Sequence, residues 1–510
     1  MVYVRVALNV PTVTGVFDYH LPPELEGRVK AGHLVTVPFG KQTVQGVVLE
    51  LVATPAVAET KPVLDLLDPQ PALTAAQMAL AQWLAEATLT PLAGCIRLML
   101  PPGLSQQADV CYTLRGDQST INDQHSSAVQ ARLIQLLQEK GSLRGRQIDR
   151  HFKNVDWRKT AQYLVRRGIL ASQSVLPPSS VRPKYIRTAQ LAVAPEQAEA
   201  AMPSLGKTAA TLRRRQAALR FLAGAPEAVN VSWVYAESSC TLADLQELAE
   251  RELIVLQETE IWRDPLERVE SGGIENSPPP ELTPDQQATW EQISNAFSLL
   301  PFDTAQGKPF LFLLHGVTGS GKTELYIRAA AEAIRQGKQA IILVPEIAIT
   351  PQTVRRFLVR FPGQVGLVHS RLSDGERYDT WRRARLGLLK VIIGPRSALF
   401  APLPNVGLIV ADECHDSSYY QSEPPFYHAI LAAQQYARLC GAVCILGSAT
   451  PSIVQRYQSE IGDSVRLELP KRIMNQFMPP VQVVDMREEL KAGRRGIFSQ
   501  ALVDSLDAVL

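Results

Sequence analysis

The apolar run FLFLLHG (310–316) breaks into Val317-Thr318-Gly319-Ser320-Gly321-Lys322-Thr323 and resumes as a helical pattern, ELYIRAA. Counted from Gly316, this is GxxxxGKS/T in the strand-to-helix setting that the motif requires. Glycines let backbone N–H groups wrap phosphates without interference from a Cβ, and the helix N-terminus faces the negative charge. Lys322 is expected to reach the β- and γ-phosphates, and the Thr323 hydroxyl to ligate Mg²⁺. ATP and Mg²⁺ are the expected cofactors, with Lys322 and Thr323 as catalytic members of the loop.

A strand of this kind needs partners that are equally apolar. They follow at AIILVP (340–345), VGLVHS (365–370), VIIG (391–394), VGLIVAD (406–412) and AVCILGS (442–448), separated by helical stretches. Continuous apolar strands alternating with helices predict a parallel sheet covered on both faces, spanning 282–470. VGLIV ends in Asp412-Glu413-Cys414-His415, where Asp412 can hold Mg²⁺ and Glu413 can polarise an attacking water. That strand is expected to neighbour the phosphate loop. The next one ends in Gly447-Ser448-Ala449-Thr450. Phosphate loop, DExH and SAT in this order resemble a superfamily-2 helicase core, a RecA-like motor lobe in which His415, Ser448, Ala449 and Thr450 couple nucleotide to DNA. Upstream, Leu282-Thr283-Pro284-Asp285-Gln286 resembles the adenine-reading segment of such motors, with Gln286 on the base edge. VPEIAITPQ (344–352) and GPRSALF (394–400), with Arg396, lie where these motors contact single-stranded backbone. Between DExH and SAT, Tyr419, Tyr420, Phe426 and Tyr427 crowd a proline-containing loop and are expected to stack on unpaired bases, the alternative for each being inward packing as core.

Residues 1–105 read as short strands with turn punctuation and one helix near 74–87, closed by Pro101-Pro102-Gly103. Two stretches, 131–176 and 217–262, then resemble each other: amphipathic helix, turn, short helix, third helix, β segment. That order predicts tandem winged-helix modules, placed at 126–180 and 205–264. Residues 131–170 hold ten Lys/Arg against three Asp/Glu, a phosphate-tracking surface concealed in a chain whose net charge is only +2. Residues 265–281 read as a linker. The fold class is therefore multidomain α/β, and 510 residues fit three to four domains.

Composition narrows function by exclusion. With 46% apolar and 20% charged residues, neither a disordered chain nor a uniformly basic nucleic-acid coat fits. The longest uncharged run, 439–455, is too short and polar to span a bilayer, and MVYVRVALNV lacks a signal-peptide layout, so no membrane partner and a cytoplasmic location are expected. Six cysteines include no CxxC, which argues for reduced thiols and against zinc.

VPEIAITPQ, HSRLSDGER, GPRSALFAPLPNVGLIVADECHDSSYYQ, FYHA and LGSATPS, with VDMREELK and GIFS further on, resemble the primosomal replication-restart helicases. The resemblance implies an ATP-dependent 3′-to-5′ DNA helicase that recognises stalled or abandoned forks and initiates primosome assembly. Implied partners are forked and single-stranded DNA, single-strand DNA-binding protein and primosome loading proteins. It also implies an N-terminal pocket for a nascent 3′ end: Asp18 on the terminal 3′-OH, Phe17 and Tyr19 shaping the base pocket, Gly40 of PFGK as a further member, and Lys61 facing the phosphate. In that family a zinc-binding region with paired CxxC motifs and a second motor lobe with arginine fingers follow GIFS. Here 471–510 would lead towards them, the ligands for Zn²⁺ are absent, and one lobe should hydrolyse ATP poorly. The alternative is a non-hydrolysing fork-DNA-binding scaffold.

Overall fold

The computed structural model describes residues 2–10, 15–40, 42–102, 104, 109–115, 128–152, 155–175, 181–225, 227–267, 278–298, 311–473 and 481–509. Most of the expected linker, 268–277, lies outside them, as do 126–127, 153–154, 176–180 and 474–480 from the expected segments around it.

Six strands open the chain: β1 (Tyr3–Leu8), β2 (Val16–His20), β3 (Leu34–Phe39), β4 (Gln42–Val52), β5 (Lys61–Pro62) and β6 (Asp65–Leu66). They form one sheet in the order β5-β2-β1-β4-β3-β6. Register matters for function here, because Arg5 on β1 faces Asp18 on β2 and Glu50 on β4. Opposite charges directly across a ladder hold each other on one face of the sheet. The helix Ala75–Thr88 follows, its capping box built by Thr74 and Gln77.

Two small units come next, and they share one topology. Helices Ala128–Lys140, Gly145–Asp149 and Trp157–Arg166 accompany the sheet β8-β7-β9, made of β7 (Asp109–Leu114), β8 (Leu143–Arg144) and β9 (Leu170–Val175). Helices Ala209–Ala223, Val231–Ser238 and Leu242–Glu250 accompany β11-β10-β12, made of β10 (Lys184–Leu191), β11 (Val229–Asn230) and β12 (Ile254–Ile261). In both, the central strand precedes the helices. The expected boundaries of 126 and 205 therefore start too late, each omitting the strand on which its sheet is built.

Asp244 carries the second unit's local stability. It is 2% exposed, caps its helix through Thr241, and accepts from Arg214 Nε at 3.0 Å and Arg215 Nε at 3.1 Å. Burial alone would raise its pKa, but hydrogen bonds from Arg214, Thr241 and Arg215 hold it down to about 2. A carboxyl whose folded pKa lies below its unfolded value stabilises above about pH 4 and loses that contribution as pH falls towards 2. Asp244→Asn should thus be less stable than wild type at pH 7 in urea unfolding, with the difference shrinking as the pH drops through that window.

The second half is a seven-stranded parallel sheet, β15-β16-β14-β17-β18-β13-β19. Its strands are β13 (Leu311–Gly316), β14 (Gln339–Leu343), β15 (Val365–Leu367), β16 (Val391–Gly394), β17 (Val406–Ala411), β18 (Val443–Ser448) and β19 (Val465–Leu469). β14, β16, β17 and β18 are buried along their whole length, as helices on both faces demand. One expectation fails: β17 is not adjacent to β13, since β18 runs between them.

The N-terminal domain is seated on this lobe. Leu80 and Leu84 share a core with Ala433 and Tyr436 of the helix Ala429–Cys440. Trp381 Nε1 donates to Met99 O at 3.0 Å, and Gln77 Nε2 to Phe400 O at 2.9 Å, both buried. The helix Asp374–Arg385 ties in the rest: Arg385 pairs with Asp68 at 2.9 Å, Arg382 with Glu260, and Arg383 with Asp264. Among the described residues, no helix is long and apolar enough to cross a membrane.

Candidate functional site

Phosphate binding is built into the turn from β13 to the helix Lys322–Arg335. Gly319 and Gly321 take φ of +81° and +83°, where a side chain is strained. A Cβ on Gly316 would sit 2.7 Å from Ser320 Oγ. Ser320 itself is 2% exposed, and its hydroxyl has no hydrogen-bond partner. A buried orphan hydroxyl inside a glycine cradle is the feature that a bound phosphate would satisfy. Lys322 is 7% exposed; Nζ donates to Gly316 O at 2.8 Å and lies 3.7 Å from Glu413 Oε1. Val317 and Thr318 are exposed, Thr323 half-buried at the first turn of the helix.

Asp412 and Glu413 leave the end of β17. Asp412 accepts from Tyr326 Oη at 2.9 Å, and burial raises its pKa, against the hydrogen bond from Tyr326 that lowers it. Glu413 adopts φ of +46°, a left-handed conformation unusual for a side-chain residue, which turns its carboxylate towards Lys322. Mg²⁺ bound with a triphosphate needs only one or two carboxylates from the protein, so Thr323 and Asp412 fit it chemically. Among the described residues no group of three or more His, Cys, Asp or Glu side chains is placed to hold a metal ion by itself.

The strand between them explains how the distance is bridged. A Cβ on Gly447 would meet Tyr326 Oη at 1.7 Å, so only glycine in β18 lets the tyrosine pass beneath to Asp412. Tyr326 escaped the sequence reasoning, although it stands four residues after Lys322 on one helix face. His415 Nδ1 and Ser448 Oγ are 2.8 Å apart, and Ser448 Oγ accepts from Thr450 N–H at 2.9 Å, so DExH and SAT touch directly. Ala449 follows Ser448 at the end of β18.

Gln286 reaches the phosphate loop: its amide oxygen accepts from Thr283 N–H at 2.9 Å, while Nε2 donates to Ser320 O at 2.8 Å. The aromatic loop divides. Tyr420 and Phe426 are about half exposed, at 52% and 49%. Tyr419 and Tyr427 are buried: Tyr419 Oη donates to Asp412 O at 2.7 Å, and Tyr427 packs edge-on against Phe400. Neither can stack on bases, and burial raises the pKa of both. Arg396 is partly spent on the same loop, donating to Ser418 O at 2.7 Å and Tyr420 O at 3.2 Å.

A second site occupies the N-terminal sheet, an open cleft of about 980 Å³ lined by Phe17, Asp18, Tyr19, Gly40 and Lys61 together with Arg5. One Asp18 oxygen accepts from Ala56 N–H, and the other lies 3.6 Å from Arg5 Nε. Tyr19 is turned into the core, with Oη donating to Pro38 O at 3.1 Å and burial pushing its pKa up to about 12. Phe17 meets Phe39 edge-on at 5.2 Å. Arg5 and Ala56 are further members that sequence reasoning missed, because only the β-register and a loop closure bring them to Asp18.

Family comparisons agree with this division. Residues 5–101 match the 3′ DNA-binding domain (3′BD), and 283–457 match the DEAD/DEAH box helicase family. The replication restart protein PriA of Bacillus subtilis is 34% identical over the whole of this chain and 61% of its own length. That of Synechocystis is 36% identical over 99% of this chain and 59% of its own. The chain thus spans about three-fifths of the length of these curated relatives. With both matches in one order and the alignments running along the whole chain, it is similar along its length to the replication restart protein PriA.

Proposed function

We propose that this chain is the DNA-reading and ATP-binding portion of an ATP-dependent 3′-to-5′ helicase that recognises stalled replication forks and starts primosome assembly. The observation that carries the reading is the N-terminal cleft, which gathers Phe17, Asp18, Gly40 and Lys61 from three segments within the stretch that matches a 3′ DNA-binding domain. An acid facing a hydroxyl beside a cation facing phosphate is the chemistry of a terminal nucleotide. Tyr19 supports the pocket from behind.

The two helix-and-strand units then act as winged helices, the first contributing its basic surface to duplex arms. Tyr420 and Phe426 are left to stack on unpaired bases. Lys322, Thr323, Asp412 and Glu413 bind MgATP and orient the attacking water, with the His415–Ser448 contact passing nucleotide state towards the DNA. Single-strand DNA-binding protein and primosome loading proteins are the partners such a role requires.

Fork binding tests the reading. Wild type should bind a fork ending in 3′-OH about tenfold more tightly than one ending in 3′-phosphate, since a phosphate would face the Asp18 carboxylate. Asp18→Ala should erase the difference in a fluorescence-anisotropy titration. Equal affinities for both ends in wild type would remove the 3′-end assignment.

A further inference from the structure

We propose that residues 471–473 form the outer wall of the nucleotide site and receive the base of ATP, with the side chains of Arg472 and Ile473 against its face. The inference rests on the ATP-binding reading of the phosphate loop.

β19 lies beside β13 in parallel register, with Leu469 opposite Gly316. From there the chain stays bound to the phosphate loop. Val317 N–H donates to Leu469 O at 3.2 Å, and Ile473 N–H donates to Gly319 O at 3.0 Å. A Cβ on Gly319 would face Arg472 Cγ at 3.9 Å; one on Gly321 would meet Ile473 Cδ1 at 2.7 Å and Gln286 Nε2 at 2.3 Å. Gln286 and 471–473 thus both pack against the loop, meeting at Gly321.

Between Thr283-Pro284-Asp285 and Lys471-Arg472-Ile473 lies a cavity of about 490 Å³ that reaches Ser320, the loop residue with the unpartnered buried hydroxyl. Its size suits a nucleoside. Pro284 and Ile473 give it apolar surface, and a guanidinium plane can stack on a purine face. Gln286 is only 3% exposed and does not line this cavity, whose walls come from other groups. A neighbouring cavity of about 380 Å³ also touches Gly321 and Ile473, lined by Glu324 with Arg356 and Arg360, but its lining does not include Ser320.

Calorimetric titration of the 510-residue chain with MgADP and, separately, with magnesium tripolyphosphate tests this. Arg472→Ala and Ile473→Ala should each weaken MgADP by about tenfold, the worth of one lost stacking partner, and leave tripolyphosphate affinity unchanged. Intact tripolyphosphate binding also certifies that the variant's loop is folded. Unchanged MgADP affinity would overturn the wall. So would an equal loss for both ligands, which would make the segment a prop for the loop. A wild-type chain that binds neither ligand would overturn the ATP reading itself, and the wall with it.

Discussion

Lys322→Ala is expected to weaken MgATP binding by a hundredfold or more, about 3 kcal/mol, and to abolish DNA-stimulated hydrolysis in a chain that also carries the family's remaining length. The ammonium is buried and spends one donor on Gly316 O, so it is already fixed at the mouth of the loop before nucleotide arrives. It also lies 3.7 Å from Glu413 Oε1. Removing it takes away the phosphate contact and leaves that carboxylate facing the incoming triphosphate, so the two losses act in the same direction. Calorimetry with the non-hydrolysed MgADP and a coupled ATPase assay read them separately. An unchanged affinity would remove the phosphate-loop assignment.

What the sequence disclosed depends on how locally each feature is encoded. The phosphate loop was legible because strand, glycines and helix N-terminus are contiguous, and each glycine answers to a backbone requirement. Six of the seven strands were legible as apolar runs, while β19, with its alternating VRLEL, was not, nor was the strand order: nothing in VGLIVAD or AVCILGS says that β18 enters between β13 and β17. Tyr326 was invisible for that reason, since its role exists only because Gly447 sits beside it. The small units lost their first strands because β7 and β10 precede their helices and pair with segments about 60 residues later. In the aromatic loop, composition marked the cluster but could not sort Tyr419 and Tyr427, turned inward, from Tyr420 and Phe426. The 3′-end pocket was reached through resemblance alone; Asp18, Arg5 and Ala56 meet through a β-register and a loop that no local pattern reveals.

Gly447 supplies the sharpest test of how Asp412 is held. Gly447→Ala places a methyl 1.7 Å from Tyr326 Oη, 2.9 Å from its Cζ and 3.4 Å from Asp412 Oδ1, in a region where Tyr326 is 1% exposed and has nowhere to retreat. Either β18 shifts or the hydroxyl leaves Asp412. We expect about 3 kcal/mol of lost stability in urea unfolding, at the upper end for overpacking, together with weakened MgADP binding. Tyr326→Phe alone removes one buried hydrogen bond to a carboxylate and should cost about 2 kcal/mol. The two changes should not add. Without the hydroxyl the closest contact relaxes from 1.7 to 2.9 Å, so the double variant should be more stable than Gly447→Ala by itself. Stability equal to the sum of the two single losses would show that the glycine is required for some reason other than the passage of Tyr326 to Asp412.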